Sequence, residues 1–243
     1  LIHISFLATS MMPDANKYSA SEFRDPINLT SNRTITLIRW QYAPREKTME
    51  IVFDFTNYAY TEGNISFEAM FDGRKKLLSD IVYQKDDMLI IQLYRIPEQK
   101  GKKVTVSFEA EESGNRKKVS FYTYTGLVEE VDSLPVMSEQ AYYVGRQEYD
   151  IAYYDALVKE NNKSLRKKQN SISDIETEND RLKQYNSNLT TDEMLNRDET
   201  IRNNEEMIAA LQDDIEELKK QNSKFQEIIK VLEERKLKGS AEN

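Results

Sequence analysis

"IAALQDDIEELKKQNSKFQEIIKVLEE", residues 208–234, repeats apolar side chains at alternating intervals of three and four, the spacing that gathers one stripe along an α-helix. Such a stripe is stable in water only when covered, and the cover is either a second copy of the chain or another part of the same one. Extended toward the N-terminus, Ile201, Ile208, Ile215, Asn222 and Ile229 fall at position a of a heptad. Asn204, Leu211, Leu218, Phe225 and Leu232 fall at position d. Isoleucine at a, leucine at d and a lone asparagine at a suit a parallel two-stranded zipper. That arrangement is the one an intramolecular reading has to beat.

The preceding segment supplies the competitor. Val144, Ile151, Val158, Leu165, Ile172 and Asn179 form its a row, and Tyr154, Asn161, Lys168, Ile175, Leu182 and Leu189 its d row. Two polar d positions make it a poor zipper alone. Between the segments, "YNSNLTTDE" (185–193) weakens the helix, and Thr190 with Glu193 has the capping-box spacing of a helix restart. Folding the segments antiparallel, so that paired residue numbers sum to 383, sets Asn161 against Asn222 and Asn179 against Asn204. The same register stacks Leu182 on Ile201, Ile175 on Ile208, Ile172 on Leu211, Leu165 on Leu218 and Val158 on Phe225, with Met194 on Leu189 at the turn.

An amide facing an amide keeps its hydrogen bond, whereas one facing leucine loses about 1–3 kcal/mol. Two matches in one register favour a hairpin over a zipper. Lys168 against Ile215 is the one poor layer, and there the lysine stem can lie along the seam while the ammonium reaches water. About 45 residues per arm at 1.5 Å rise give a rod of roughly 65–70 Å.

The first half has a different grammar. All five prolines lie at or before Pro135, eight of nine phenylalanines and Trp40 precede residue 136, and no glycine occurs between Gly145 and Gly239. Its period is two. "TMEIVFDF" sets Met49, Ile51, Phe53 and Phe55 on one face, "ISFEAMF" does so with Ile65, Phe67, Ala69 and Phe71, and "VTVSFEA" with Val104, Val106, Phe108 and Ala110. "TITLIRWQY" (34–42), "KLLSDIVYQ" (76–84), "MLIIQLYRI" (88–96) and "VSFYTY" (119–124) read as further strands, the last burying Val119 and Phe121. Asp72-Gly73 is a hairpin turn signal.

The fold class is therefore two-part, β then α. An N-terminal immunoglobulin-like antiparallel β-sandwich precedes a long antiparallel α-helical coiled-coil hairpin. The expected organisation is an N-terminal segment at 1–26, a sandwich at 27–130, a linker at 131–140 and the hairpin at 141–238. The turn lies near 186–191, and residues 239–243 are set aside as an expression-tag remnant.

Chemistry is hard to find. The sole histidine, His3, lies in the terminal segment, cysteine is absent, and no Gly-rich phosphate loop, HExxH, GxSxG or EF-hand pattern occurs. Adjacent carboxylates such as Asp86-Asp87 and Asp213-Asp214 rarely converge on one substrate. We expect no enzyme, cofactor or metal. A net charge of -8 opposes sequence-independent binding to nucleic acid, which needs clustered cations. Tyr142, Tyr143, Tyr149 and Tyr153, at the start of the hairpin, are the candidate partner surface.

These readings point to a structural or protein-interaction module of a bacterial cell-envelope assembly, such as a secretion, conjugation or surface apparatus. The expected location is extracytoplasmic and envelope-associated. "LIHISFLATSMM" at the start is too short to span a bilayer and reads either as an edge strand or disordered end or as the stub of a hydrophobic segment, in which case membrane anchoring would come through segments flanking this chain. The expected state is a monomer or low-order homo-oligomer with a protein partner. The alternatives are a phage or virion baseplate or tail component, and a carbohydrate-binding adhesin with an exposed aromatic platform.

Overall fold

The computed structural model describes residues 20–56, 65–85, 87–112, 114–184 and 189–241. The chain divides into two compact units, Leu1–Val136 and Met137–Asn243. His3, the opening apolar stretch, Asp86 and residues 185–188 of the inter-helix break lie outside the described residues.

The first unit is built of two sheets. One has the strand order β1 (Pro26–Asn28), β2 (Thr34–Ala43), β3 (Thr48–Phe55), β7 (Met88–Tyr94) and β6 (Leu78–Lys85), with β10 (Glu129–Glu130) also paired to β2. The other has the order β5 (Lys75–Lys76), β4 (Ser66–Phe71), β8 (Lys103–Glu112) and β9 (Asn115–Tyr124). Alternation decides which side chains face inward. Met49, Ile51, Phe53 and Phe55 of β3 meet Val104, Val106, Phe108 and Phe121 of β8 and β9 in one buried cluster. Trp40 lies in this core and its Nε1–H donates to Met49 Sδ at 3.4 Å.

Strict alternation would have turned Trp40 away from the core. Ile35 and Leu37 face inward at odd numbers, yet Trp40 and Tyr42 do so at even ones. The pairing of β2 with β3 slips between Leu37 and Arg39, and this bulge changes the phase. A second slip, between Ile81 and Tyr83, lies on the edge strand β6.

Three features depart from the sequence reading. Residues 76–84 do not form one strand: Lys75–Lys76 belongs to the four-stranded sheet and Leu78–Lys85 to the other. The buried Leu77 between them turns the corner, its N–H bonded to Ala69 O at 2.9 Å. The sheets are not wholly antiparallel, because β10 runs parallel to β2. Nor is 131–140 a plain linker. Val131 N–H bonds to Tyr42 O, and Leu134 is buried with its N–H donating to Glu46 Oε2 at 2.9 Å. The turn signal at 72–73 lies where it was placed: Asp72 and Gly73 both have positive φ, 51° and 67°.

The second unit is a helical hairpin of α1 (Glu139–Gln184) and α2 (Thr191–Ala241). The second arm runs past the expected boundary at 238. Gly239 is buried, and a Cβ there would stand 2.9 Å from Tyr143 Cδ1, so glycine permits the close approach of the two arms. Residues 239–241 are therefore part of α2. No helix among the described residues is long and apolar enough to cross a membrane.

Candidate functional site

The hairpin seam is made by the residues that the heptads put there. Ile215 and Leu232 of α2 are buried, and Ile201, Ile208, Leu211, Leu218, Phe225 and Ile229 are half-buried along one stripe, as are Val158, Leu165, Ile172, Ile175 and Leu182 of α1; the buried Leu157 lies outside both heptad rows. Asn161 Nδ2 donates to Asn222 Oδ1 at 3.0 Å, and Asn204 Nδ2 donates to Asn179 Oδ1 at 2.7 Å. Asn222 Nδ2 donates in turn to Asn162 Oδ1 at 3.0 Å, a third amide that the register argument did not foresee. Asn161, Asn179 and Asn222 are all buried. A buried amide without a partner is costly, so these bonds make one alignment of the arms better than its neighbours.

Other contacts keep the same register. Lys168 Nζ reaches Asp214 Oδ2 at 2.5 Å while Ile215 beside it is buried, so the lysine stem follows the seam and its ammonium ends on a carboxylate. Lys183 lies 3.8 Å from Glu205, and Lys236 lies 2.7 Å from Glu148 near the base. Phe225 packs against Tyr154 with ring centroids 5.6 Å apart, one turn from its Val158 layer. The turn end is looser than the heptad suggests. Met194 is 41% exposed, in the last layer of the seam among the described residues.

The restart of the helix is a reciprocal cap. Glu193 N–H donates to Thr190 Oγ1 at 3.4 Å, while Thr190 N–H and its hydroxyl both donate to Glu193 Oε2 at 2.8 Å. These bonds, the backbone one foremost, hold the Glu193 carboxyl below its ordinary value of 4.5. A depressed folded-state pKa means stability that is present above the unfolded value and lost as pH falls through the folded one. Thr190→Ala should cost about 1 kcal/mol of hairpin stability. Helical circular dichroism in urea at pH 7 checks it, and the difference between variant and wild type should begin to shrink as pH falls past the ordinary carboxylate value of 4.5 and should vanish only below the depressed folded-state value, where the folded carboxyl is protonated as well.

The tyrosines fare differently. Tyr142 is only 2% exposed and cannot present a partner surface in this conformation; the aromatic run places it inward rather than at the rim. Tyr143, Tyr149 and Tyr153 are half-buried, with the Tyr153 ring edge-on to Tyr154 at 5.2 Å. Near them Gln147 Oε1 is buried with no hydrogen-bond partner among the described residues.

One polar cluster escaped the sequence reading. On the outer face of the first sheet, Glu50 accepts from Arg39 Nη2 at 2.9 Å and from Gln92 Nε2 at 3.0 Å, and Gln92 Nε2 also donates to Leu134 O at 3.0 Å. Tyr94 O–H donates to Gln92 Oε1 at 3.1 Å, and burial, followed by Asp80 and Glu50, raises its pKa above the usual value. Glu50 and Gln92 are almost wholly buried. Their hydrogen bonds satisfy the buried charge and tie the 131–136 segment to the sheet, a structural duty rather than a reactive one. Among the described residues, no group of three or more His, Cys, Asp or Glu could hold a metal ion.

No family model and no curated protein matches this chain. Among solved structures, the GAE domain of GGA2p from Saccharomyces cerevisiae aligns with a TM-score of 0.26 and 13% identity, covering 46% of this chain and 98% of that one. The yeast GGA1 GAE domain aligns with a TM-score of 0.25 and 16% identity, covering 42% of this chain and 97% of that one. Likeness at that level carries no functional argument, and the functional reading rests on the hairpin itself.

Proposed function

We propose that this chain is a non-enzymatic protein-interaction module, an immunoglobulin-like sandwich followed by an antiparallel coiled-coil hairpin that serves as spacer or docking arm in a bacterial cell-envelope assembly. One observation carries the reading: the two arms satisfy each other through the Asn161–Asn222 and Asn179–Asn204 pairs. An arm whose long seam is closed by its own chain has a fixed length of about 70 Å and needs no partner to exist. The cysteine-free composition supports the extracytoplasmic setting, where unpaired thiols oxidise.

A spacer is defined by its length, which gives a direct test. Deleting residues 165–171 together with 212–218 removes one matched heptad from each arm and leaves every remaining pair in register. The arm shortens by about 10 Å. The shortened protein should fold, retain its helical signal and fractionate with the host envelope, yet fail to support the assembly. Full support after one such deletion, and again after a second, would remove the spacer reading. Wild-type protein found wholly in the soluble fraction of the host would remove the envelope setting.

A further inference from the structure

Beside the seam, α2 carries a second stripe. Residues 200, 203, 207, 210, 214, 217, 221, 224, 228, 231, 235 and 238 recur at the same three-and-four spacing, and all but Gln221 are exposed. It includes large apolar side chains left in water: Met207 at 53%, Ile228 at 37% and Val231 at 46% exposure. Charge along the helix is strongly divided. Thr191 to Glu217 holds ten acidic and two basic residues, whereas Leu218 to Ala241 holds seven basic and three acidic. Lys224, Arg235 and Lys238, which flank the apolar pair Ile228 and Val231, make no ion pair among the described residues.

We propose that this stripe is a homodimer interface in which the α2 helices of two copies lie antiparallel about a two-fold axis near residue 219. This rests on the hairpin reading, since it assumes the seam is already filled by α1. With partner numbers summing to 438, every stripe position meets another stripe position. Met207 then meets Val231 of the second copy, Ala210 meets Ile228, and Asp214 meets Lys224. Arg235 meets Asn203 beside Glu206. By symmetry each contact occurs twice, as a two-fold interface requires. No position faces a like charge in this register, and the acidic half of each helix covers the basic half of the other. The complementary partner for the basic, apolar end is thus present on the same stripe of the same molecule, which favours a second copy over an anionic lipid surface or an unrelated acidic helix.

The experiment is sedimentation equilibrium on the whole chain over a hundredfold concentration range, at low and high salt. Wild type should dimerise reversibly, more weakly as salt rises. V231E sets a carboxylate on Met207 and near Glu206, and M207K sets an ammonium on Val231 and near Arg235; each alone should weaken the dimer at least tenfold. Mixing the two variants should restore association, because the heterodimer holds one new ion pair and one native contact. Both positions are exposed, so the hairpin itself should be unaffected, and an unchanged helical melt checks this. A wild type that remains monomeric throughout, variants that dimerise like wild type, or a mixture no tighter than its parts would each overturn the proposal. Monomer that binds anionic vesicles through Lys224 and Arg235 would do so in favour of a lipid surface. A collapsed helical melt in wild type at low denaturant would instead indict the hairpin reading.

Discussion

Phe108→Ala should lower the stability of the first unit by about 3–5 kcal/mol. Phe108 is fully buried on β8, and its ring meets Phe53 edge-on at 4.9 Å and Phe55 at 5.5 Å, both from β3 in the opposite sheet. Phe67 and Phe121 complete the cluster from its own sheet, at 6.0 and 6.4 Å. Removing the ring leaves a void bounded by other rings, which cannot collapse without giving up their edge-to-face contacts. Total domain stability is usually about 5–15 kcal/mol, so the loss is a large fraction of it. The midpoint of thermal unfolding, followed by near-ultraviolet circular dichroism, should fall by about 12 °C or more. The helical signal of the hairpin should persist above that transition, since the hairpin is a separate compact unit. Phe23→Ala is the control: Phe23 is half exposed and the change should be within about 0.5 kcal/mol. A Phe108→Ala melt that overlays wild type would mean that the two sheets are not held by this aromatic contact.

Most of that core was legible because alternation is local. A residue two places along from Phe53 faces the same way whatever else the chain does, and the heptads of the hairpin are local in the same sense. What alternation cannot supply is a change of phase. The bulge at Leu37–Arg39 depends on how β2 meets β3, and "TITLIRWQY" contains no glycine or proline to announce it. The switch of sheets at Leu77 and the parallel pairing of β10 are likewise products of tertiary contact.

The buried Glu50 and Gln92 were missed for another reason. A charged residue in an alternating strand reads as solvent-facing, and the pattern of "TMEIVFDF" obeys the rule. The available signal was "MLIIQLY", whose nearly unbroken apolar run marks a strand covered on both faces. Since β7 pairs directly with β3, Glu50 beside Gln92 had to share that cover. Tyr142 is a similar case: helix spacing assigns it to a face, but its burial follows from what packs there.

Replacing both amides of each seam pair by leucine separates stability from register. Asn222→Leu alone should cost about 1–3 kcal/mol, because it strands the buried Asn161 amide and removes the donor to Asn162. Asn179→Leu alone should cost somewhat less, since Asn204 is half-buried and water can take the place of its lost acceptor. The fourfold variant, with leucine at 161, 179, 204 and 222, should be at least as stable as wild type to urea, since paired apolar groups of similar size replace paired amides. Its defect should be alignment. Sliding one arm by a heptad, to pairs summing to 376, places Asn161 on Ile215, Asn222 on Tyr154 and Asn204 on Ile172 in the native sequence. Those three mismatches weigh against the slip; with leucine at all four positions the penalty disappears. The absence of cysteine makes the outcome easy to read. Cysteines placed at 158 and 225 report the native register and cysteines at 158 and 218 the slipped one. Wild type should cross-link only through the first pair, and the fourfold variant through both. A fourfold variant that cross-links only natively would assign the alignment to the turn and its Thr190–Glu193 cap instead of to the amides.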